Sequence, residues 1–269
     1  MNDSPWYLNA LEQATCLAFS CLPSPRPTLE QLRNCKLVGH RGAHQGTPYI
    51  ENTLPGFVAL TKAGVWGAEL DIRWTRDLVP VISHDPDCLR LFKQAICIAE
   101  TDFQQLRLSV PHIPTLAEVV SAVGGKLHLM IEIKNEPYPR PKEQAETLKH
   151  TLASLTPITD YHFLALEPDL FAHAPFATLE CQVIVGTMNV KAVSRIAQRV
   201  CYGGIAGAYP LFTGKRRRYH QQRGQKIGTG HINTQRILFQ ELKKGTNWIF
   251  SNRALRLQHV VNNLLRDEK

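Results

Sequence analysis

The 269-residue chain has 43% hydrophobic and 20% charged residues, with 31 Lys+Arg against 23 Asp+Glu for a formal charge of +8. There is enough apolar chain for a sizeable core, which excludes any need for a disulfide or metal staple in folding. The seven cysteines (Cys16, Cys21, Cys35, Cys88, Cys97, Cys181, Cys201) form no CxxC pair, so neither a zinc knuckle nor a redox motif is indicated, and the apolar neighbours of Cys16, Cys97 and Cys181 suit buried thiols in a reducing compartment.

In chain order, residues 6–22 carry apolar residues at helical spacing. Their most apolar run, ATCLAFSCL at 14–22, is short and interrupted by Thr and Ser, and no basic residue precedes Arg26. It reads as neither a signal peptide nor a membrane span, and the expected location is cytoplasmic. PSPRP at 23–27 breaks the pattern, and 28–34 reads as a short helix capped by Thr28. Residues 1–35 are therefore expected to form a helical extension packed on a larger domain.

From residue 37 short β-rich runs alternate with helical segments. The strands are expected at 36–40, 67–72, 127–134, 162–166, 182–186, 203–209, 226–232 and 247–251. Helices are expected at 54–63 (after a Thr53 cap and ending at Gly64), 115–123, 142–155, 168–174, 189–200, 234–244 and 254–266. This alternation defines the expected fold class: α/β, a TIM (β/α)8 barrel, in one domain covering 1–269. The stretch ELDIRWTRDLVPVISHD at 69–85 holds two strand-like runs with no room for a crossover helix between them. Parallel neighbours need about a dozen residues of crossover, so it reads as an antiparallel hairpin over the C-terminal mouth. A turn about Asp77 and Leu78 would place Asp71 opposite His84.

The strand C-termini hold the chemistry. The first strand ends in His40-Arg41-Gly42, the second carries Glu69 and Asp71, its hairpin partner ends in His84-Asp85, and the strand at 127–134 ends in Glu132 and Lys134. Spacings of two put Glu69 with Asp71, and Glu132 with Lys134, on common faces. Strands covered on both sides should be apolar throughout, and these break the rule at one end of the barrel only. Taken singly, each residue also fits a plainer role, a hydrogen-bonded strand-end histidine or a salt-bridged rim carboxylate. Jointly, three converging carboxylates would repel one another unless a cation lies among them. Glu69, Asp71 and Glu132, with no cysteine nearby, favour Mg²⁺ or Ca²⁺ over zinc. Arg41 and Lys134 supply positive charge for an anionic group, and His40 and His84 remain as a general acid–base pair. The set describes metal-assisted displacement at phosphorus.

HRG (40–42), ENT (51–53), ELD (69–71), HD (84–85), IPTLAEV (113–119) and IEIK (131–134), in this order, resemble the glycerophosphodiester phosphodiesterase family. The resemblance implies a TIM-barrel hydrolase that uses a divalent cation to cleave glycerophosphodiesters to an alcohol and glycerol 3-phosphate. It implies Glu69, Asp71 and Glu132 as metal ligands, His40 and His84 as the catalytic pair, and Arg41 and Lys134 as phosphate contacts. Glu51 would orient Arg41, reach the substrate, or serve only the start of the following helix. The attacking hydroxyl is water or one from the glycerol itself. The chain departs from the family pattern at Ile50 (usually proline), at Gly230 and His231 (usually Trp and Thr), and at Asn252 (usually Asp). These departures leave the core chemistry intact and bear on substrate identity. The short segment between His84 and Ile113 leaves no room for a large lid.

The basic cluster KRRRYHQQRGQK at 215–226 reads as a solvated stretch, or as a rim patch for anionic lipid headgroups. No nucleic-acid module accompanies it, so nucleic acid is not an expected partner. The expected partner is a small-molecule glycerophosphodiester. A lysophospholipase D keeps the chemistry and would show apolar residues around the mouth. A non-catalytic phosphate-binding barrel would lack at least one of these positions.

Overall fold

The computed structural model describes residues 24–267. The expected helix at 6–22, with Cys16 and Cys21, lies outside them. Among the described residues nine strands form the sheet: β1 (Leu37–Gly39), β2 (Gly67–Trp74), β3 (Pro80–Ile82), β4 (His128–Ile133), β5 (Tyr161–Ala165), β6 (Gln182–Gly186), β7 (Gly204–Ala208), β8 (Lys226–Gly230) and β9 (Trp248–Ser251). All but β3 run parallel in the order β1-β9-β8-β7-β6-β5-β4-β2, and the pairing of β1 with β2 at Val38–Gly67 closes the ring. This is the expected (β/α)8 barrel, each strand lying within a few residues of its expected range.

Helices Leu54–Lys62, Leu116–Val123, Pro141–Thr151, Val190–Val200, Gly214–Gln222, Gln235–Lys243 and Ala254–Arg266 surround it, and a 3₁₀ turn at Pro168–His173 replaces the expected helix there. Their starts follow local chemistry. Thr115 and Glu118 of IPTLAEV form a capping box, Glu118 N–H donating to Thr115 Oγ1 and Thr115 N–H to the Glu118 carboxylate. Thr28 and Gln31 do the same for the short helix Leu29–Arg33. Thr53 holds the N-cap position, but its hydroxyl donates back to the Ile50 carbonyl at 2.7 Å and makes no cap bond.

Side chains alternate along each strand, so every strand presents one row outward and one inward. Leu70, Ile72, Leu129, Ile131 and Phe163 face the helices in the main core. The inward rows make layers. Val38, Met130, Leu164, Val183, Trp248 and Phe250 fill the barrel's middle. Gly204 and Gly228 make room for the last two: a Cβ on Gly204 would lie 2.7 Å from the Trp248 ring, and one on Gly228 2.8 Å from Phe250. Below this layer sit His128 and His162; above it, on the same inward rows of β2 and β4, come Glu69, Asp71 and Glu132.

Two expectations are corrected. In the hairpin, Ile72 pairs with Ile82 and Trp74 with Pro80, and Ser83 N–H donates to the Asp71 carbonyl at 3.0 Å. Asp71 therefore faces Ser83, one residue short of His84. The cause is the turn: Leu78 takes φ +61 and its N–H reaches Thr75 O, giving a three-residue loop where a two-residue loop was expected. The basic cluster is also not simply solvated. Its residues 215–222 lie in the helix Gly214–Gln222; Lys215, Arg218, Arg223 and Lys226 are exposed as expected, but Arg217 and His220 are buried. Arg217 pairs with the buried Glu241 at 2.6 Å and donates to Thr246 Oγ1, while His220 bonds Ser194 and Gln225.

After β3 the chain builds a small helical cap from Leu89–Phe92, Ile98–Glu100 and Phe103–Ser109, packed around Val81, Cys88, Ile98, Leu106, Val110 and Ile113. No helix among the described residues is long and apolar enough to cross a membrane.

Candidate active site

At the C-terminal ends of β2 and β4, Glu69, Asp71 and Glu132 each bring a carboxylate oxygen within 4.8 Å of the other two. Glu69 and Asp71 are only 2% and 1% exposed. Asp71 Oδ1 accepts from Lys134 Nζ at 2.9 Å, and the same ammonium donates to Glu132 Oε1 at 2.7 Å. Asp71 Oδ2 accepts from Asn52 Nδ2 at 2.8 Å. Glu69 Oε2 accepts the Arg41 backbone N–H at 2.8 Å, whereas Glu69 Oε1 is buried and has no hydrogen-bond partner among the described residues.

The electrostatics of the three differ. Burial pushes the Glu69 carboxyl above the usual range, and repulsion from Asp71 and Glu132 adds to it. Burial acts on Asp71 in the same sense, but Lys134, His84 and Arg41 outweigh it and hold that carboxyl well below its usual range. For Lys134 the desolvation that disfavours an ammonium is overcome by Asp71 and Glu132, which raise its pKa.

The turn after β1 carries the second group. Arg41 and Gly42 adopt φ +54 and +78, folding the chain back so that the Arg41 N–H meets Glu69. Asn52, also left-handed at φ +57, donates its N–H to the Arg41 carbonyl at 2.8 Å and closes this loop. Arg41 Nη1 donates to Glu51 Oε1 at 3.1 Å, and its Nε lies 3.8 Å from Asp71 Oδ2, an ion-pair contact without a hydrogen bond. Of the roles open to Glu51, the geometry is that of holding Arg41.

The two histidines are each anchored through Nδ1. His40 Nδ1 donates to Asn252 Oδ1 at 2.7 Å, leaving Nε2 3.8 Å from Glu69 Oε2. His84 Nδ1 bonds Asp85 Oδ1 at 2.8 Å, and the His84 carbonyl accepts from both Nε and Nη2 of Arg73. Burial and the neighbouring Arg41 push His40 down to about 3; burial, with Lys134 and Arg41, lowers His84 as well.

All eight residues expected from the sequence thus gather at one rim. The structure adds five supports that the motif reading did not assign: Asn52, Arg73, Asp85, Arg90 and Glu136. Arg90 binds Asp85 through Nε and Glu51 through Nη2; Glu136 pairs with Arg73 at 2.6 Å and accepts the Trp74 N–H. Asn52 and Asp85 sit inside the quoted motifs, and Arg73 and Glu136 continue the period-two rows of Asp71 and Lys134. Arg90 has no comparable signal.

A parallel eight-stranded barrel with carboxylates, imidazoles and cations drawn to its C-terminal rim places the molecule in the class of TIM barrels that carry a charged site at the mouth. Residues 40–195 match the model of the glycerophosphoryl diester phosphodiesterase family. The chain belongs to that family. Its sequence is 32% identical over 133 residues to glycerophosphodiester phosphodiesterase 1 of Mus musculus, a match covering 44% of this chain and 40% of that protein. It is 29% identical over 168 residues to glycerophosphodiester phosphodiesterase of Bacillus altitudinis, covering 55% and 68%. The chain therefore spans about two fifths of the mammalian relatives it matches, as with the 41% matched of the Bos taurus protein. Among solved structures, the Thermotoga maritima glycerophosphodiester phosphodiesterase superposes with TM-score 0.71 at 21% identity, over 84% of this chain and 98% of that one. An Oleispira antarctica phosphodiesterase in complex with the product sn-glycerol-3-phosphate gives 0.72 at 18%, over 84% and 96%.

Proposed function

We propose that the chain hydrolyses glycerophosphodiesters to an alcohol and sn-glycerol 3-phosphate with the help of a divalent cation. One observation carries the reading: three carboxylates converge beside two Nδ1-anchored imidazoles, and one buried carboxylate oxygen, Glu69 Oε1, lacks a partner among the described residues. Buried polar atoms are almost always bonded, so an orphaned oxygen amid repelling carboxylates suits a cation. The all-oxygen donor set of Glu69, Asp71 and Glu132 fits Mg²⁺ or Ca²⁺. When bound, the cation supplies Lewis-acid polarisation of a phosphoryl oxygen.

The chain's own residues do the rest. The Arg41 guanidinium and Lys134 ammonium hold the phosphate, arginine offering a planar fork for two of its oxygens. Nδ1 of each histidine is committed, to Asn252 and to Asp85, which presents Nε2 of His40 and of His84 as the proton-transfer atoms. One Nε2 takes the proton of the attacking hydroxyl as its oxygen bonds to phosphorus. The other delivers a proton to the departing alcohol as its P–O bond breaks.

The test is release of sn-glycerol 3-phosphate from a panel of glycerophosphodiesters with Mg²⁺, Ca²⁺ or EDTA. The expected result is cation-dependent release abolished in His40→Ala and His84→Ala. Near-full activity in either variant overturns the scheme.

A second reading, hydrolysis of lysophospholipids, is supported by apolar residues exposed in the segments that follow strand C-termini: Ile50, Leu89, Leu166 and Met188, the last 62% exposed. Faster turnover of a lysophospholipid than of its deacylated counterpart, lost on changing Met188 and Leu89 to Ser, would favour it.

A further inference from the structure

A groove of about 480 Å³ opens between the loop 43–49 and the first turns of the helix Ala254–Arg266, within the roughly 300–1,000 Å³ of small-molecule sites. It adjoins the site on two sides. Asn252, which lines it, is the residue whose Oδ1 holds His40. His44, which also lines it, has Glu51, Arg41 and Arg90 as electrostatic neighbours. The charge of its wall is one-sided: the guanidinium groups of Arg253 and Arg256 line it beside the imidazoles of His44 and His259, and among the described residues no Asp or Glu does. Arg256 and His259 are three apart on one exposed face of the helix, and among the described residues neither Arg253 nor Arg256 forms a side-chain ion pair. Glu51, the carboxylate whose charge acts on His44, is itself taken up by Arg41 and Arg90. Among the described lining residues Tyr49 is the one Phe, Tyr or Trp, and a single such ring makes no aromatic cage for a quaternary ammonium.

From this groove we infer that the enzyme takes the alcohol portion of its diester beside His40 and selects headgroups that carry a negative charge over headgroups that carry only a positive one. The inference rests on the proposed hydrolysis and names the substrate class within it. A cationic wall attracts a carboxylate- or phosphate-bearing headgroup and repels choline, and a mismatch of charge at a partly enclosed wall changes binding more than chemistry. Arg256 is the residue to change. It lies in the first turn of its helix, where an acidic residue is favourable, so Arg256→Glu cancels the groove's positive charge, the new carboxylate balancing Arg253, without loosening the fold.

The experiment compares kcat/KM for glycerophosphoserine and glycerophosphocholine in the wild-type chain, in Arg256→Glu, and in Lys149→Glu as a control with the same change of net charge on a distant helix. The expected wild-type ratio favours serine by about tenfold; Arg256→Glu lowers that ratio by about tenfold, chiefly through KM, and Lys149→Glu leaves it unchanged. A wild-type ratio at or below one, or a ratio that Arg256→Glu does not move, overturns the inference while diester hydrolysis stands. A fall in the ratio equal in both variants assigns the effect to the overall field and overturns it too. No turnover of either diester, nor of any other in the panel, overturns the proposed hydrolysis itself and the inference with it.

Discussion

Glu51 accepts a hydrogen bond from Arg90, 39 positions further along the chain, on the same Oε1 that holds Arg41. Arg90 also binds Asp85, the partner of His84. One guanidinium from the helical cap thus braces Arg41, the proposed phosphate contact, and His84, one of the two proposed proton-transfer histidines, together.

Arg90→Ala removes both braces. Hydrogen bonds to charged groups contribute about 1.5–3 kcal/mol each, and every 1.4 kcal/mol is about tenfold. Arg90 is partly exposed, so the loss belongs at the lower end: kcat/KM falls about 10–100-fold. Arg90→Lys recovers little, because an ammonium cannot span two carboxylates as a planar fork does. Added guanidinium restores part of the activity of Arg90→Ala. Unchanged kcat/KM in Arg90→Ala would remove the brace from the mechanism.

Asn52 positions Asp71 through its side-chain amide while its backbone sits at φ +57. An alanine there confuses the lost hydrogen bond with backbone strain; Asn52→Gly removes only the amide. Groups that orient a metal ligand typically contribute 10–100-fold to metal affinity. Titration of activity against Mg²⁺ or Ca²⁺ should show Asn52→Gly needing about that much more cation for half-maximal rate, with kcat at saturating cation little changed. A variant with the wild-type cation requirement would separate Asp71 from cation binding.

The barrel and most of the site were legible because both rest on period two. Glu69 with Asp71, and Glu132 with Lys134, alternate with Leu70 and Ile131, and that rhythm is visible without coordinates. The hairpin register was not legible, because Leu78 gives no local sign that it will adopt a left-handed backbone, and one added loop residue moves the partner of Asp71 from His84 to Ser83. Arg90 was invisible for a different reason. It reaches the site only once the segment after His84 folds into a cap around Cys88, Ile98 and Leu106. Arg217 and His220 misled because a run of basic residues reads as solvated until Glu241 arrives from the next helix.

Asn252 stands where the family usually carries Asp, and it is the anchor of His40 Nδ1. A neutral amide orients the ring and adds no charge to stabilise an imidazolium; its hydrogen bond raises the pKa only in part, and burial with repulsion from the Arg41 guanidinium keeps His40 low, at about 3. Asn252→Asp places a carboxylate there and must raise the His40 pKa. The ionisation belonging to His40 in the pH–rate profile then moves upward. If the acidic limb moves, His40 is the base; if the alkaline limb moves, it is the acid. A profile in which neither limb moves would mean that His40 does not titrate in the rate-limiting chemistry.

At the barrel's far end, His128 Nδ1 meets the Thr159 carbonyl at 2.8 Å and His128 Nε2 meets His162 Nδ1 at 2.8 Å. A carbonyl only accepts, so His128 carries its hydrogen on Nδ1, and its bare Nε2 accepts from His162 Nδ1–H. Trp66 stacks on His128 at 4.1 Å and Trp248 meets His162 edge-on at 5.0 Å, while Lys36 lies over Trp66. Protonating His128 Nε2 would set two N–H groups against each other beside a lysine. Burial lowers His128 to about 4, and burial with the repulsion of His128 lowers His162 to about 3. A histidine whose folded pKa lies below its unfolded value near 6.5 stabilises the fold fully above about pH 6.5. That contribution is lost as pH falls from there toward the folded value. Each such group adds up to about 1.4 kcal/mol per pH unit to the acid slope of unfolding free energy. His162→Asn keeps a donor, Nδ2–H, where Nδ1–H was, and removes one titrating ring. Urea unfolding measured between pH 7 and 4 should give a shallower loss of stability for His162→Asn than for the wild type. Parallel pH dependences for the two proteins would show that this pair is not among the groups whose protonation unfolds the barrel.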